Sequence, residues 1–339
     1  MESTKFNLLI KVIFGSFLII LILVISTKFI KHPDIDSTFA TDSLNKLDIE
    51  LKVLDNIQYQ FKDLIFGDNN RGFPELIVPN VVHYILFNIS EIRFAHYLSI
   101  LSVLKNQRPD LIWIHCDCEQ LSGYYYKKVI ERVKQTDTQF SVRRVEKPTE
   151  IFGKTISKQF INWHSSDITR LRVLSQFGGI YLDTDVYVVK SLDVFRNYEI
   201  TLNRNNGDVL SNSVLIAHRN ARFLKMWIHS YHGYKDSGWT ENSQIVPSLQ
   251  IMDKFPELVH RLTGQFGVYG PSICPMLFLD YYENWKNDFY AIHLFIRGNN
   301  ITLPDWCLGK RRPNVMQFNE TVVRTLNNTF GEMCRQLNV

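Results

Sequence analysis

Two aspartates, Asp183 and Asp185, are separated by a single residue and directly follow a short apolar run at residues 180–182. The run has the length and composition of a buried strand, so the aspartates fall at its carboxyl end, the edge at which open α/β sheets bind ligands. Neighbouring carboxylates repel each other unless a cation lies between or beside them, and oxygen-liganded ions such as Mg2+ or Mn2+ suit that position. The spacing predicts a divalent-metal site that also accommodates nucleotide phosphates.

A second polar pair, Asp167 and Arg170, lies on one face of the helix predicted before this strand, because the two residues are three apart. The helix ends at Gly178-Gly179, and the strand follows at once. Alone, such a pair is usually a surface ion pair that stabilises the helix by about 0.3 kcal/mol. Placed one helix before the two aspartates, it makes the combined pattern far more specific than either part.

The run S-D-x-x-R-x-x-x-L-x-x-x-G-G-I-Y-L-D-x-D at residues 166–185 resembles the signature of DXD-containing glycosyltransferases of the GT-A fold. It is most similar to the family-32 group, which includes α-1,4-galactosyl- and α-1,4-N-acetylglucosaminyltransferases and related fungal mannosyltransferases. Weaker similarities extend from about residue 79 to residue 293. The resemblance implies a GT-A-like domain that uses a nucleotide-sugar donor.

The resemblance also implies a role for each matching residue. Asp185 would bind the metal directly, and Asp183 would contact the donor's ribose and the metal's waters. Asp167 and Arg170 would hold hydroxyls of the donor sugar. A late histidine often completes the metal shell in this fold, and His293 is the candidate, although the tryptophan that commonly follows such a histidine is absent from the next few residues.

Five further positions are similar to family residues near the donor nucleotide, but each has a structural alternative. His83 lies in an apolar run that is similar to the family's first strand, and it can equally be a hydrogen-bonded core histidine. Asn212 is similar to the residue that opens the acceptor-side strand, and Gly270 to a later Gly-Pro turn. The full set of candidate donor contacts outside the main pairs is His83, Gly179, Tyr181, Asn212 and Gly270.

The elements that must position these residues follow one another regularly from residue 76 onward. Apolar runs of strand length alternate with segments of helical spacing, a pattern typical of an α/β domain with a mostly parallel sheet flanked by helices. Together with the resemblance of residues 166–185, which implies the GT-A fold, this pattern predicts a GT-A-like catalytic domain over residues 76–339. The strands are expected at 77–87, 111–115, 141–145, 180–182, 199–202 and 209–217, and the helices at 92–106, 123–134, 165–176 and 221–231.

The segment at residues 6–27 is almost wholly apolar, with Lys11 as its one charge. A helix of this length rises about 30 Å, the thickness of a bilayer core, which predicts a transmembrane signal anchor after a short cytoplasmic tail at 1–5. A cleaved signal peptide is the alternative, but the run exceeds the roughly 7–15 residues of its apolar region. Residues 28–75 have helical spacing interleaved with charge and are interpreted as a stem.

Four N-x-S/T sequons follow the apolar segment, at Asn88, Asn300, Asn319 and Asn327, and they favour a lumenal domain. We expect a type II protein of the Golgi or ER membrane. The five cysteines lack the C-x2-C spacing of a zinc site, and up to two disulfides with one free thiol are expected, with the pairing open. The net charge of +4 is dispersed, and no basic block calls for nucleic acid.

The function expected from these features is transfer of a hexose or N-acetylhexosamine from a UDP-sugar to a glycan or glycolipid acceptor, with Mn2+ or Mg2+ as cofactor. The resemblance implies retention of anomeric configuration. A haloacid-dehalogenase-type phosphatase also has a strand ending in D-x-D, but Tyr187 stands where that class has threonine or valine. A glycan-binding pseudoenzyme on a membrane stem is the other alternative. The P-loop, dinucleotide and H-E-x-x-H motifs are absent from the sequence.

Overall fold

The computed structural model describes residues 69–205, 207–296 and 318–339. The predicted cytoplasmic tail, the predicted anchor at 6–27, most of the predicted stem and the sequon at Asn300 lie outside the described residues. Within the described ranges, no helix has the length and apolar composition needed to cross a bilayer.

The folded domain begins earlier than residue 76, the start that the sequence predicts. Asn69 is buried: its side-chain amide donates to the carbonyl of Glu257, and its side-chain oxygen accepts from the backbone of Glu199. The backbone N–H of Phe73 donates to the carbonyl of Asn197 at 2.7 Å. Residues 69–75, assigned to the stem from sequence, therefore belong to the folded domain.

Strands and helices alternate over most of the described chain. The strands are β1 Val81–Leu86, β2 Leu111–Cys116, β3 Gln139–Arg144, β4 Glu150–Ile151, β5 Lys154–Thr155, β6 Gly179–Leu182, β7 Val186–Val188, β8 Ile200–Asn203, β9 Val214–Ala217, β10 His260–Leu262, β11 Phe266–Gly267 and β12 Ala291–His293. The helices are α1 Phe94–Asn106, α2 Tyr124–Val133, α3 Ile161–Phe177, α4 Arg222–Ser230, α5 Gly270–Phe278, α6 Trp285–Asp288, α7 Glu320–Thr325 and α8 Thr329–Gln336. Two π-helical segments, Glu241–Ile245 and Pro247–Met252, lie between α4 and β10.

A seven-stranded sheet in the order β10-β8-β9-β6-β1-β2-β3 forms the centre of the domain. The β1–β2, β2–β3, β1–β6 and β8–β10 pairs are parallel, and β9 runs antiparallel to both of its neighbours. This topology confirms the predicted α/β class with a mostly parallel sheet. Every residue of β1, β2 and β6 is buried, as expected for strands that are covered on both faces.

Each face of the sheet packs into its own apolar core. Helix α1 packs on one face, where its side chains join those of alternate residues in β1, β2 and β6. Helices α3 and α4 cover the other face through Leu171, Leu174, Phe223 and Trp227. This two-layer covering fixes α3 against the sheet, and α3 carries the Asp167–Arg170 pair.

A small second sheet in the order β11-β12-β7 was not predicted from sequence, since its strands have only two or three residues. Strand β12 runs antiparallel to β7 and pairs His293 with Val186. Because Val186 directly follows Asp185, this register places the late histidine beside the two aspartates.

The predicted strand at 209–217 is correct only for its last four residues, β9. The segment before β9 carries Ser211, Asn212 and Ser213, whose side chains form hydrogen bonds between the two serines and from Asn212 to Asp167. Its backbone bonds to the ends of neighbouring strands run from the N–H of Ser211 to the carbonyl of Asn203 and from the N–H of Asp183 to the carbonyl of Ser213. Side-chain hydrogen bonds compete with strand pairing for residues of these types, which agrees with the shorter strand.

The cysteines agree with the prediction of disulfides and a free thiol. Cys116 at the end of β2 is bonded to Cys118, and Cys274 is also disulfide-bonded. Cys334 is a buried free thiol. Burial in this apolar setting raises the pKa of that thiol, so it remains protonated and unreactive at neutral pH.

The predicted donor contact His83 lies in the core of the domain. Its ring is fully buried, with Nδ1 3.1 Å from Nε2 of His115 and Nε2 2.9 Å from the carbonyl oxygen of Gly178. Burial lowers the pKa of His83 to about 4, so the ring is neutral at pH 7. These contacts favour the alternative of a hydrogen-bonded core histidine.

Gly179, at the start of β6, shares this crowded region. Its φ of +115° is one that side-chain-bearing residues rarely adopt. A Cβ at this position would lie 2.6 Å from the carbonyl oxygen of Val81 and 2.8 Å from Nε2 of His83. Gly179 therefore admits the close approach of β1 to β6, and its predicted contact with the donor stays a prediction.

We predict that Gly179→Ala lowers the free energy of unfolding by about 2 kcal/mol or more, because it adds backbone strain and two clashes with atoms that cannot withdraw. Urea unfolding followed by tryptophan fluorescence measures this. Gly233→Ala is the matched control, since no atom lies within 4 Å of its added Cβ. Equal unfolding midpoints for the two variants would contradict the prediction.

Candidate functional site

The two aspartates of the D-x-D sequence occupy the turn between β6 and β7. The backbone N–H of Asp183 donates to the carbonyl of Ser213 at 2.8 Å, and Val186 closes the turn by donating to the carbonyl of Asp183 at 3.0 Å. The side chain of Asp183 is 25% exposed and that of Asp185 is 11% exposed. The prediction that both residues lie at the carboxyl end of a buried parallel strand is confirmed.

His293 joins the aspartates from the neighbouring strand of the small sheet. The backbone N–H of Leu294 donates to the carbonyl of Asp185 at 2.9 Å, which holds β12 against the turn. The Nε2 atom of His293 lies 3.0 Å from Oδ1 of Asp185 and 4.0 Å from Oδ2 of Asp183. The structure thus brings together the three residues that the sequence proposed as metal ligands.

Arg170 of α3 connects three parts of the site through its buried guanidinium. Nη1 donates to Oδ1 of Asp183 at 3.0 Å and to the carbonyl of Asn212 at 2.8 Å. Nη2 lies 3.1 Å from Oδ1 of Asp167. The guanidinium also lies over the ring of Tyr181, 4.6 Å from its centroid, and the hydroxyl of Tyr181 donates to Asp183 at 2.7 Å. One cation therefore fixes α3, the end of β6 and the segment before β9.

Asp167 lies behind Arg170, away from the surface. Its Oδ1 accepts from Nη2 of Arg170 and from the side-chain amide of Asn212 at 2.7 Å, while its buried Oδ2 has no hydrogen-bond partner in the structure. Burial raises the pKa of this carboxyl, and the neighbouring Arg170 opposes that shift. The structure therefore gives Asp167 a positioning contact with Arg170, and its proposed contact with the donor sugar stays a prediction.

A cavity of about 390 Å3 opens in front of these residues. Arg170, Tyr181, Asp183, Asp185 and His293 all line it. Asn212 lines an adjoining cavity of about 220 Å3. The cavity linings do not include the remaining candidates, which are His83, Asp167, Gly179 and Gly270.

Several residues that line the main cavity had no clear signal in the sequence. Residues 85–89, which are the last two residues of β1 and the three that follow it, form one wall, and only their place at the end of a strand could have indicated it. Trp163 and Trp239 flank the opening, with ring centroids 6.2 Å apart and exposed fractions of 40% and 42%. They lie 76 positions apart in the sequence, and the fold alone makes them neighbours.

Within the described ranges, no group of three or more histidine, cysteine, aspartate or glutamate residues stands in a ready-made metal-binding arrangement. The placement of Asp183, Asp185 and His293 is therefore described by the two distances from His293 Nε2 to the aspartates. The distance to Asp185, 3.0 Å, is the shorter of the two.

Comparison with known proteins shows what this site is similar to. Residues 98–202 match the family model described as "Glycosyltransferase sugar-binding region containing DXD motif". The matched region includes the Asp167–Arg170 pair and both aspartates of the turn. This part of the chain is thus similar to a glycosyltransferase sugar-binding region, which confirms the resemblance seen in residues 166–185.

Particular relatives are similar to parts of the chain. Glucan organizing enzyme 1 of Cryptococcus neoformans is 27% identical over 207 residues, which cover 56% of this chain and 53% of that protein. Lactosylceramide 4-alpha-galactosyltransferase is 31% identical over 126 residues in Rattus norvegicus and 39% identical over 129 residues in Mus musculus. Those matches cover 37% and 38% of this chain and 34% and 35% of the relatives. The chain thus matches about half of the fungal relative and about a third of each mammalian one.

Among solved structures, the galactosyltransferase LgtC in complex with donor and acceptor sugar analogs is similar over 76% of this chain and 96% of that chain. The sequence identity is 14% and the TM-score is 0.41.

We predict that Arg170→Leu lowers the free energy of unfolding by about 3 kcal/mol, because it leaves the buried carboxylate of Asp167 without its cationic partner. Arg172→Leu, on an exposed position of the same helix, serves as the control and should cost less than about 0.5 kcal/mol. Chemical unfolding of the three proteins at pH 7 measures both effects. A loss that is the same for the two variants would show that the buried pair contributes nothing specific.

Proposed function

We propose that this protein is a metal-dependent glycosyltransferase that moves a hexose or N-acetylhexosamine from a UDP-sugar to a hydroxyl of a glycan or glycolipid. The observation that carries the proposal is the convergence of Asp183, Asp185, His293 and Arg170 on one cavity at the carboxyl edge of parallel strands. That edge is where open α/β sheets bind nucleotides. The cavity thus combines acidic groups for a metal with a fixed cation beside them.

Asp183, Asp185 and His293 are the residues of this cavity that would hold a divalent ion. His293 Nε2 lies 3.0 Å from an oxygen of Asp185 and 4.0 Å from an oxygen of Asp183. Carboxylate oxygens suit Mg2+, and the added imidazole favours Mn2+.

The bound ion would supply Lewis acidity to the departing diphosphate. The chain's own residues supply position and charge. Arg170 lines the cavity with a guanidinium that Asp183 and Asp167 hold in one orientation, so its positive charge faces the proposed donor site from a fixed position. Tyr181 restrains Asp183 through its hydroxyl and so keeps the carboxylate directed at the cavity.

The set of acidic groups bears on the stereochemistry. Among the described residues that line the main cavity, Asp183 and Asp185 are the carboxylates, and both are assigned to the metal. We propose a retaining transfer because the resemblance of residues 166–185 implies it. No separate carboxylate in that lining is left to form a covalent sugar intermediate, so in a retaining transfer the acceptor hydroxyl would attack the face from which the diphosphate departs.

The names of the relatives guide the choice of donors to test. The mammalian relatives are named for transfer of galactose to lactosylceramide, and the fungal relative for organizing glucan. UDP-galactose and UDP-glucose are therefore the first donors to test for this chain, and a glycolipid or polysaccharide is the first acceptor class.

We predict that the full chain hydrolyses at least one UDP-sugar slowly without acceptor, that Mn2+ is required, and that Asp185→Asn lowers the rate by about 100-fold or more. The donors are UDP-galactose, UDP-glucose, UDP-N-acetylglucosamine and UDP-N-acetylgalactosamine, with GDP-mannose as a comparison. Release of UDP is followed by chromatography. Mn2+ binding is followed separately by electron paramagnetic resonance, which reports on the site even when a donor is missing.

Asp137→Asn is the matched control, because Asp137 is an exposed carboxylate distant in sequence from the site. It should retain the wild-type rate and Mn2+ affinity. The proposal fails if none of the donors is bound or hydrolysed and if Asp185→Asn binds Mn2+ as the unchanged protein does. A glycan-binding pseudoenzyme would then be the better interpretation.

We further propose that the domain lies in the lumen of the Golgi or ER, held by the predicted anchor at 6–27. The described sequons differ in their suitability for glycosylation. Asn88, Asn319 and Asn327 are all exposed, and they differ in what surrounds them. Asn88 lines the main cavity, and its side-chain amide donates to Asn162 at 2.8 Å. A glycan on Asn88 would occupy the entrance of the proposed donor site.

We predict that protein expressed in a eukaryotic host carries N-glycans at Asn319 and Asn327 and leaves Asn88 unmodified. Peptide mass spectrometry before and after enzymatic deglycosylation measures the occupancy of each site. Complete absence of glycans at Asn319 and Asn327 would contradict the lumenal location. A glycan at Asn88 in hydrolytically active protein would contradict the placement of the donor in this cavity.

A further inference from the structure

Three cavities adjoin one another along one side of the sheet edge, with volumes of about 390, 220 and 440 Å3. The first is the main cavity with the metal-site residues. The second shares part of its lining with the first, and the third shares part of its lining with the second. The residues common to the first two are Asp183, Trp239, His293 and Phe295, and those common to the second and third are Asn205, Val268 and Tyr269.

The second cavity has the side-chain chemistry that recognises a neutral sugar. Trp239 and Tyr269 supply aromatic faces on which the C–H surface of a pyranose can pack, and both are exposed, at 42% and 47%. Amides, hydroxyls and a carboxylate supply the donors and acceptors for sugar hydroxyls. These polar residues are Asn203, Asn205, Asp208, Ser211, Asn212 and Gln244.

The third cavity continues the same chemistry on the far side of Tyr269. Its polar lining consists of exposed side chains such as Thr263, Gln265 and Ser272, and Phe289 provides a second aromatic surface. Among the described residues that line it, the charged one is Asp288. A lining whose described residues include one carboxylate and no lysine or arginine disfavours a nucleotide diphosphate and suits an uncharged ligand.

We infer that the acceptor is a neutral glycan of at least two saccharide units that lies along the second and third cavities. This inference rests on the proposed function, because the main cavity is taken as the donor site. The unit that is glycosylated occupies the second cavity, where Asp183 and His293 border it. The next unit lies across Tyr269 in the third cavity, where no group of the proposed metal site lines the wall.

The experiment measures transfer by the full chain from its best UDP-sugar to three series of acceptors. The first series is of galactose-terminated lactose type, the second of β-linked glucose and the third of α-linked mannose. Each series contains the methyl glycoside, the disaccharide and the trisaccharide. In the series that is used, kcat/KM should rise by about tenfold from monosaccharide to disaccharide, which corresponds to about 1.4 kcal/mol. Acceptor-free hydrolysis of the donor is recorded for every variant.

Two variants separate the third cavity from the rest. Tyr269→Ala removes the shared aromatic wall, and Ser272→Phe places a bulky ring in the third cavity, whose lining includes Ser272. Both should abolish the advantage of the disaccharide and leave donor hydrolysis within about twofold of the unchanged protein. Tyr281→Ala is the matched control, because Tyr281 is 52% exposed and lines none of the three cavities.

The outcomes distinguish this inference from the proposed function. Equal kcat/KM for monosaccharide and disaccharide, with donor hydrolysis intact, overturns the extended acceptor site and leaves the transferase proposal standing. A large loss of donor hydrolysis in Ser272→Phe assigns the third cavity to the donor and also overturns the inference. Loss of the disaccharide advantage in Tyr269→Ala and Ser272→Phe but not in Tyr281→Ala supports it. Absence of hydrolysis with every donor overturns both proposals.

Discussion

The buried guanidinium of Arg170 is the interaction on which the arrangement of the site depends. It joins Asp167 on its own helix to Asp183 at the end of β6 and to the backbone before β9. A buried cation is tolerated only when its donors are satisfied by oppositely charged or carbonyl groups, and here both kinds are present. Because the same contacts satisfy the cation and orient the D-x-D turn, the packing of α3 on the sheet and the geometry of the cavity cannot vary independently.

The small sheet supplies the second constraint. His293 reaches the site because β12 pairs with β7 immediately after the turn that carries the aspartates. The backbone bond from Leu294 to Asp185 closes this contact without any side chain. A histidine far along the chain thus becomes part of the site through strand register, and a shift of one residue would turn its side chain to the other face.

The sequence predicted those parts of the structure that depend on short-range patterns. The alternation of apolar runs with helical spacing was sufficient for the α/β class, and the compound pattern at 166–185 located Arg170 and the D-x-D turn. The sequence could not show whether His83 and Gly179 contact the donor or belong to the core. A residue that matches the family's pattern has the same local sequence in either role. The sequence also missed Trp163 and Trp239, whose proximity follows from the long-range arrangement of α3 and the segment after α4. The strand predicted over 209–213 was wrong, and there the side chains of residues 211–213 form hydrogen bonds that compete with strand pairing.

The charges of the site show what the Asp167–Arg170 pair contributes beside the two aspartates of the turn. The guanidinium of Arg170 contacts the carboxylates of Asp167 and Asp183, while Asp185 contacts His293, so the three carboxylates and one guanidinium have a formal charge of −2. Without the arginine the same carboxylates would carry −3 in a partly buried place, where mutual repulsion is strong. The Asp167–Arg170 pair is itself neutral and leaves the charge of −2 from Asp183 and Asp185 unchanged. Its effect is therefore one of position: it fixes a positive charge 3.0 Å from Asp183 and so offsets part of the repulsion between the two carboxylates of the turn.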